Sequence, residues 1–425
     1  MATAKTTAFD KEDIVMETNF SFGRLERLLQ EALKTNAEFE SCFAKRIGLM
    51  QGFLARIVKV DIQWKRQSNG PEEQLGDLPT SVVLKVPTAK NWEEWEVVKE
   101  MTEGVDTSMM FDRISKFHNT ECAFYRFAAG QEARLKIPKV YYIEEVDKEK
   151  RRPGLLVMED FSDRGYAKNL WDAAELPLLK DLAGALASLH AYTLDRQEWR
   201  EDAALKSTLA DLFEQSPEEG EKMKNMTVQL LKQFADYFPG HFIDRLERWT
   251  PEDMMTDVVY AGEVHTDMGM PPILVHGDFR ISNMIINKDE NGDERLVALL
   301  DWQVVHPGSV AEDLARFMCC SGNGRTRRDH SLPMLEHYHK VLVEELATRG
   351  AEVPFTLDQV KECYKRLFKH GVMVMAPGVP MIVQSESLMS AAEDKEAAKR
   401  HLLENARDML NELHRLETTG VVPWE

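Results

Sequence analysis

The chain has 425 residues, of which 43% are hydrophobic, so it can bury a large core in two or three lobes. Its formal net charge of −19 argues against nucleic acid as a partner, because such binding depends on neutralising phosphates with basic side chains. No apolar run is long enough to span a membrane, residues 1–10 carry no apolar secretion signal, and the five cysteines show no framework spacing. We therefore expect a cytoplasmic protein with no membrane contact.

Two strands are predicted early in the chain. Apolar and polar residues alternate from Val58 to Trp64, which is typical of a half-buried strand. Ahead of it, Gly48 and Gly52 lie where a turn could approach phosphate groups, although an ordinary turn between strands would also use them. The second strand, residues 81–87, carries Lys85 in an apolar run. A buried ammonium is costly unless it meets an anion, so Lys85 is the candidate phosphate-binding lysine.

A helix and a further strand follow. Aromatic residues recur from Phe111 to Phe127 at helical spacing, and Glu121 lies in the apolar half of this segment. Glu121 could pair with Lys85 and hold it over phosphates, or it could belong to a solvated face. An apolar strand then reaches Met158 and Asp160, where we expect a hinge whose backbone groups bind the adenine of a nucleotide.

Residues 273–303 carry the chemistry. An apolar run leads into a loop with Asp278, and Asn283 follows five residues later. An Asn-Gly turn at 291–292 then reverses the chain, so a hairpin brings Asp301 back beside Asn283. Asp278 can accept a hydroxyl proton while the oxygens of Asn283 and Asp301 hold Mg²⁺, which is the division of labour in phosphoryl transfer.

Two neighbours of Asp278 need separate interpretation. We assign His276 to bracing the loop backbone rather than to moving protons. Arg280 could neutralise the γ-phosphate as charge develops, or it could simply face the solvent.

The rest of the chain is predicted to be mostly helical, from leucine spacing at 182–189 and 335–346. The acidic, methionine-rich residues 250–270 are interpreted as an ordinary loop, with a lid over the acceptor as the alternative. Residues 322–328 are interpreted as a solvated connector, with a phosphate-binding segment as the alternative. His337 and His339 lie two apart on a helix and face different ways, so we predict no metal site there.

These segments resemble the choline/aminoglycoside-kinase branch of the protein-kinase-like superfamily, and more closely the CHK-kinase-like proteins of invertebrates, which include ecdysteroid-kinase-like proteins. The resemblance covers residues 40–345 and rests on residues 84–87, 118–125, 137–141, 157–160, 189–191, 273–286 and 296–303, with Asp313 matching an acid that buttresses the catalytic loop. It implies an α+β bilobal fold: an N-terminal helical extension (1–39), an N-lobe with a small antiparallel sheet (40–160), and a larger helical C-lobe (161–425) with the catalytic loop and the acceptor site.

The resemblance also implies an ATP- and Mg²⁺-dependent small-molecule kinase that phosphorylates a hydroxyl of a metabolite, sterol or xenobiotic. The acidity of the chain favours a cationic or neutral acceptor; the alternative is that it simply keeps the protein soluble. The chain departs from the family pattern in its glycine-poor loop and in Arg280, which stands where many relatives carry an aromatic residue. The alternative is a pseudokinase that binds a nucleotide or ligand without turnover. A kinase acting on polypeptides is disfavoured because no Asp-Phe-Gly or Ala-Pro-Glu segment is present. The sequence gives no indication of oligomeric state.

Overall fold

The computed structural model describes residues 10–16, 18–48, 54–66, 75–88, 107–212 and 217–425, without the side chains of 107–110, 254 and 387. Within these ranges the chain forms an α+β fold with a small antiparallel sheet in its N-terminal part and a larger, mostly helical C-terminal part. This confirms the fold class expected from the sequence. No helix in these ranges has the length and apolarity needed to cross a membrane.

The N-terminal sheet has five antiparallel strands in the order β1-β2-β3-β5-β4. The strands are β1 (Glu38–Ile47), β2 (Ala55–Lys65), β3 (Ser81–Pro87), β4 (Val140–Glu144) and β5 (Leu155–Glu159). Successive side chains of β5 enter different cores, as the period of two requires: Leu155 and Val157 pack on one face, Leu156 and Met158 on the other.

Helices cover both faces of this sheet. Helix α1 (Phe22–Leu33) packs Leu25 and Leu29 against the core that contains Val157. Helix α2 (Thr107–Phe127) lies on the opposite side, where Phe124 joins the core that contains Leu156 and continues into the C-terminal part. A short helix, α3 (Glu132–Leu135), follows α2.

The C-terminal part contains two further small sheets. Strands β6 (Tyr166–Ala167), β8 (Met284–Lys288) and β9 (Glu294–Leu299) form one, in the order β6-β8-β9, and β7 (Ile273–Val275) pairs with β10 (His306–Gly308). Helices surround them: α4 (Leu176–Asp195), α5 (Leu209–Leu212), α6 (Pro217–Gln233), α7 (Gly240–Arg248), α8 (Pro251–Asp267), α9 (Glu312–Ser321), α10 (Gly324–Ala347), α11 (Leu357–Met375), α12 (Val379–Gln384), α13 (Glu386–Met389) and α14 (Lys395–Thr419).

The prediction of an ordinary loop at 250–270 is wrong, because most of that segment is helix α8. Thr250 and Asp253 form a capping box: the Thr250 side chain accepts from the Asp253 N–H at 3.1 Å, and the Asp253 carboxylate accepts from the Thr250 N–H at 2.8 Å. These bonds satisfy amide groups that a helix start otherwise leaves unpaired.

The prediction of a solvated connector at 322–328 is also wrong. Helix α10 begins at Gly324, and Arg327 is fully buried. Its guanidinium bonds Glu412 and donates to Asn405 Oδ1 at 2.7 Å, both on α14. The cationic residue therefore ties α10 to α14 inside the helical part.

Candidate active site

Lys85 lies at the centre of the candidate site. Strand β3 places it in register with Ile57 and Leu156, and the residue is 6% exposed. Its Nζ lies 2.6 Å from Glu121 Oε2 and 2.6 Å from Asp301 Oδ1. Burial alone would lower the pKa of Lys85, but the two carboxylates raise it above its ordinary value. The buried ammonium thus meets anions, as the strand pattern predicted.

Glu121 comes to Lys85 from helix α2 and is 1% exposed, which rules out the solvated-face interpretation. Burial raises the pKa of Glu121, while the Lys85 ammonium opposes this rise. Glu121 is therefore stabilised in the core by Lys85, and removal of either side chain would leave a buried charge without its partner.

The loop after β7 is built around Gly277, whose φ of 77° lies in the left-handed region. A Cβ there would lie 2.4 Å from the carbonyl oxygen of Val304, so a side chain would not fit. Asp313 of α9 accepts the backbone N–H groups of His276 at 2.7 Å and Gly277 at 2.9 Å. Burial raises the pKa of Asp313 to about 7, with Glu312 adding to the effect.

His276 is fully buried, and both of its ring nitrogens bond backbone groups of the site. Its Nδ1 accepts the N–H of Asp278 at 3.2 Å, so Nε2 carries the proton and donates to the carbonyl of Leu300 at 2.9 Å. Burial lowers the pKa of His276. The geometry fits the bracing role proposed from the sequence.

Asp278 is surrounded by donors. Its Oδ2 accepts from Arg280 Nε at 3.1 Å and from Asn283 Nδ2 at 3.0 Å, and its Oδ1 accepts from Arg316 Nη2 at 2.5 Å. Burial alone would raise the pKa of Asp278, but Arg280 and Arg316 bring it well below its usual range. The side chain of Arg280 is 12% exposed and also donates to Ser282 Oγ at 2.7 Å, so the solvent-facing alternative is wrong.

Asn283 and Asp301 lie at the same end of the β8–β9 hairpin, as the turn predicted. Leu300 donates its N–H to the carbonyl of Asn283 at 2.9 Å, and Met284 is paired with Leu299. Asp301 has a φ of 68°, a conformation that Asp tolerates better than most side chains.

The donor set at this hairpin end suits a hard cation. The Asn283 amide nitrogen is committed to Asp278, with bonds of 2.9 Å to its carbonyl and 3.0 Å to Oδ2, which leaves the Asn283 Oδ1 as the possible ligand. Asp301 adds a carboxylate, and oxygen ligands are those that Mg²⁺ prefers. In the ranges that the structure covers, no group of three or more His, Cys, Asp or Glu could form a metal site by itself.

Of the two expected hinge residues, Met158 lies within β5 and Asp160 directly follows it. Met158 is 8% exposed and lies between Val83 and Val140 in the sheet. The Asp160 carboxylate accepts from Ser81 Oγ at 2.7 Å and lies 2.6 Å from Lys59 Nζ. Burial opposes ionisation, but these partners lower the pKa of Asp160 to about 2. Asp160 thus braces the end of β5 against the sheet through its side chain.

Of the two loop glycines, Gly48 belongs to the described residues. Gly48 directly follows β1 with a φ of 59°, a turn conformation suited to glycine. Gly52 lies outside the described residues.

A stack of rings, not predicted from the sequence, joins α2 to the loop after β7. Phe124 and Trp302 stack with centroids 3.9 Å apart, and the His276 ring lies 4.4 Å from Trp302. Arg316 was also missed, because its partner Asp278 lies 38 residues away in the sequence and no local spacing links the two. The structure therefore brings Lys85, Glu121, Asp278, Arg280, Asn283 and Asp301 into one connected site.

An antiparallel sheet that buries a lysine against a helix glutamate, above a loop and hairpin with two aspartates, defines the bilobal protein-kinase-like class. The chain belongs to the DUF1679 family, described as "Uncharacterized oxidoreductase dhs-27", whose model matches residues 9–419.

Two relatives come from Caenorhabditis elegans. The chain is 23% identical to "Uncharacterized oxidoreductase dhs-27" over 352 residues, which cover 81% of this chain and 40% of that protein. It is 25% identical to "Uncharacterized kinase-like protein D1044.1" over 252 residues, 58% of this chain and 61% of that protein. The matches thus span less than two thirds of either relative.

Among solved structures, choline kinase from Cryptosporidium parvum Iowa II aligns with a TM-score of 0.46 and 9% identity, over 90% of this chain and 92% of that one. The family match and the kinase-like relative confirm the kinase-like branch indicated by the sequence motifs.

Proposed function

We propose that the protein is an ATP-dependent small-molecule kinase that transfers the γ-phosphate to a hydroxyl of a metabolite, sterol or xenobiotic. The observation that carries the proposal is Lys85, whose ammonium lies 2.6 Å from both Glu121 and Asp301. In kinases a Lys–Glu pair of this kind holds the lysine over the nucleotide phosphates, and an aspartate beside it binds the metal.

Asp278 supplies the proton acceptor. As the acceptor oxygen bonds to the γ-phosphorus, the bond from that phosphorus to the bridging oxygen of ADP breaks, and its electron pair leaves with ADP. The hydroxyl proton passes to Asp278 and then to the solvent. Arg280, 3.1 Å from Asp278 Oδ2, places a positive charge beside the reacting groups.

Asn283 and Asp301 would hold Mg²⁺ through their side-chain oxygens, with further ligands from phosphates and water. The ion neutralises charge on the transferring phosphoryl group when it is bound. Asp301 contacts Lys85 and lies just beyond β9, the strand that pairs with β8 next to Asn283. One carboxylate therefore connects the lysine to the proposed metal ligands.

The nucleotide would lie between the sheet and the catalytic loop. Backbone groups near Met158 and Asp160 would bind the adenine, and the Asp160 brace to Lys59 and Ser81 would keep that backbone in place. The turn with Gly48 and Gly52 would approach the phosphates. In this proposal residues 40–160 form the nucleotide lobe, residues 161–425 the catalytic and acceptor lobe, and residues 1–39 a helical extension.

The oxidoreductase name of one relative belongs to a protein of which this chain matches 40%. Dinucleotide-binding oxidoreductase folds use a parallel sheet with a helix at the end of its first strand. All strand pairs in the described ranges here are antiparallel, which favours the kinase assignment for this chain.

The experiment that tests the proposal combines the purified chain, a metabolite extract and ATP labelled at the γ-phosphate. We expect a labelled small molecule, identified by mass spectrometry, that disappears with Asp278→Asn. Stabilisation by Mg-ATP without ATP hydrolysis or product formation would instead favour the nucleotide-binding pseudokinase. No stabilisation by ATP under any metal condition would contradict both.

A further inference from the structure

The two oxygens of the Asp278 carboxylate have different surroundings. Oδ2 accepts two hydrogen bonds, from Arg280 and Asn283, whereas Oδ1 accepts one within the described part of the chain, from Arg316 at 2.5 Å. A carboxylate oxygen has two lone-pair sites. Oδ2 is therefore filled, and Oδ1 keeps one site for a further donor.

The free site can be reached, because the Asp278 side chain is 13% exposed and that of Arg316 is 16% exposed. The N–H groups around Oδ2 would compete with an incoming hydroxyl there. A further hydrogen bond to Oδ1 would leave the bonds from Arg280, Asn283 and Arg316 in place, and an acceptor hydroxyl bonded there would lie next to the Arg316 guanidinium.

Arg316 has fewer hydrogen-bond partners than Arg327, a buried arginine of the next helix. Arg327 is held by Glu412, by Asn405 and by the carbonyls of Met318 and Gly322. In the described ranges, Arg316 forms an ion pair with Asp278 alone, and its buried Nε–H makes no hydrogen bond. A guanidinium with five donors that uses so few of them contributes little to holding helices together.

The position of Arg316 is nevertheless fixed by the fold. It lies on α9, one helical turn after Asp313, which anchors the catalytic loop through the N–H groups of His276 and Gly277. The same helix therefore holds the loop backbone through Asp313 and the side chain of the base through Arg316.

We propose that Oδ1 of Asp278 is the atom that accepts the proton of the acceptor hydroxyl, and that Arg316 is the positioning residue that aims this oxygen. The proposal rests on the kinase function above. Arg316 orients the carboxylate by charge and by a short hydrogen bond, while Arg280 and Asn283 hold the other oxygen. The proton, the bonds and the leaving ADP follow the transfer already described.

The test uses the full chain and Mg-ATP with water as the phosphate acceptor, so that no natural acceptor is needed. Arg316→Gln should lower kcat for ATP hydrolysis about 10- to 100-fold, since misplacing a reacting group by about 1 Å can have an effect of that size. The KM for ATP should stay within about two-fold, because the ion-pair partner of Arg316 in the described ranges is Asp278, which is not assigned to the nucleotide. Arg316→Lys should recover part of kcat, because an ammonium restores the charge but not the planar geometry.

Arg325→Gln is the matched control, because Arg325 is exposed and its ion-pair partner among the described residues is Asp329 on its own helix. It should leave kcat and KM unchanged. A kcat within two-fold of wild type in Arg316→Gln, or a KM that rises as much as kcat falls, would overturn the proposal.

A second measurement keeps the outcomes of the two proposals apart. A double-mutant cycle of Asp278→Asn and Arg316→Gln, read by urea unfolding, should show clear coupling, whereas Asp278→Asn and Arg325→Gln should be additive. Absence of coupling in the first pair overturns the positioning role whatever the activity. A wild-type chain that neither hydrolyses Mg-ATP nor labels any small molecule of the metabolite extract contradicts the kinase function and the proton transfer to Oδ1. The cycle then tests only the contact between Arg316 and Asp278.

Discussion

Phe124 of helix α2 and Trp302 next to Asp301 stack face to face, with ring centroids 3.9 Å apart and planes inclined by 11°. Both rings are fully buried. Glu121 lies on the same helix as Phe124, and Asp301 precedes Trp302, so the stack joins the two elements whose carboxylates contact Lys85. The rings thereby set the distance between the helix and the hairpin.

We expect Phe124→Leu to weaken ATP binding as well as folding. The loss of stability should be about 1–2 kcal/mol, a fraction of the 3–5 kcal/mol typical of replacing a buried Phe by Ala. ATP affinity should fall because Lys85 loses its fixed alignment. Urea unfolding and nucleotide titration measure the two effects. Phe368→Leu, at a fully buried ring stacked on Tyr364 in α11, is the control and should affect stability only. Equal ATP affinities in both variants would contradict the alignment role of the stack.

A second prediction concerns the buried charges at Lys85. Lys85→Met should lower the free energy of unfolding by about 3–5 kcal/mol, because Glu121 would be left as an uncompensated buried acid. Adding Glu121→Gln should restore part of the stability, while ATP binding stays weak because the phosphate-binding cation is gone. Chemical denaturation of the single and double variants measures the coupling. Additive losses would show that the two side chains do not depend on each other.

Much of this site could be predicted from local sequence. Lys85 was a single charge in an apolar run, and Glu121 lay in the apolar half of a predicted helix; such charges must pair when buried. Asn283 and Asp301 were joined by a hairpin short enough for its turn to fix their proximity. Helix α8 was not predicted, although Thr250 and Asp253 have the spacing of a capping box.

Other features had no local signal. Arg327 is bonded to Glu412, 85 residues along the chain, and Arg316 reaches Asp278 across 38 residues. Neither partner can be read from spacing, because tertiary packing alone brings the helices together. The same holds for the stack of Phe124 on Trp302.

The metal assignment predicts that ATP raises the melting temperature only when Mg²⁺ or Mn²⁺ is present. Without a divalent ion, the carboxylate of Asp301 and the phosphates of ATP repel each other, and the shift should vanish with excess chelator. Asp301→Asn should reduce the metal-dependent part of the shift, as it removes the charged ligand. Differential scanning fluorimetry measures this. Equal shifts with and without chelator in wild type would rule out Asn283 and Asp301 as metal ligands.

Acid sensitivity should come in part from His118, which is 4% exposed and contacts the carbonyl of Glu144 at 2.9 Å. Burial, followed by the nearby Lys85 and Arg126 charges, lowers the pKa of His118 from 6.5 to about 4. Between these values the unfolded chain binds the proton and the folded chain does not, so the stability present above pH 6.5 is lost as pH falls towards 4.

For this histidine the loss between pH 7 and pH 5 should be about 1–2 kcal/mol. His118→Gln should remove that part of the pH dependence seen in the wild-type chain. Urea unfolding at both pH values makes the comparison. A pH dependence unchanged in His118→Gln would mean that this imidazole titrates normally in the folded chain.

The most direct measurement of the central claim is the kinetics of Asp278→Asn. Asparagine keeps the size of the side chain and can still orient a hydroxyl, but it cannot accept the proton, and removal of a general base lowers the rate about 10²–10⁴-fold. Because Mg²⁺ is assigned to Asn283 and Asp301, the affinity for Mg-ATP should stay within a few-fold of wild type while turnover collapses. Wild-type turnover in this variant would contradict the assignment of Asp278 as the base, and with it the placement of the catalytic centre.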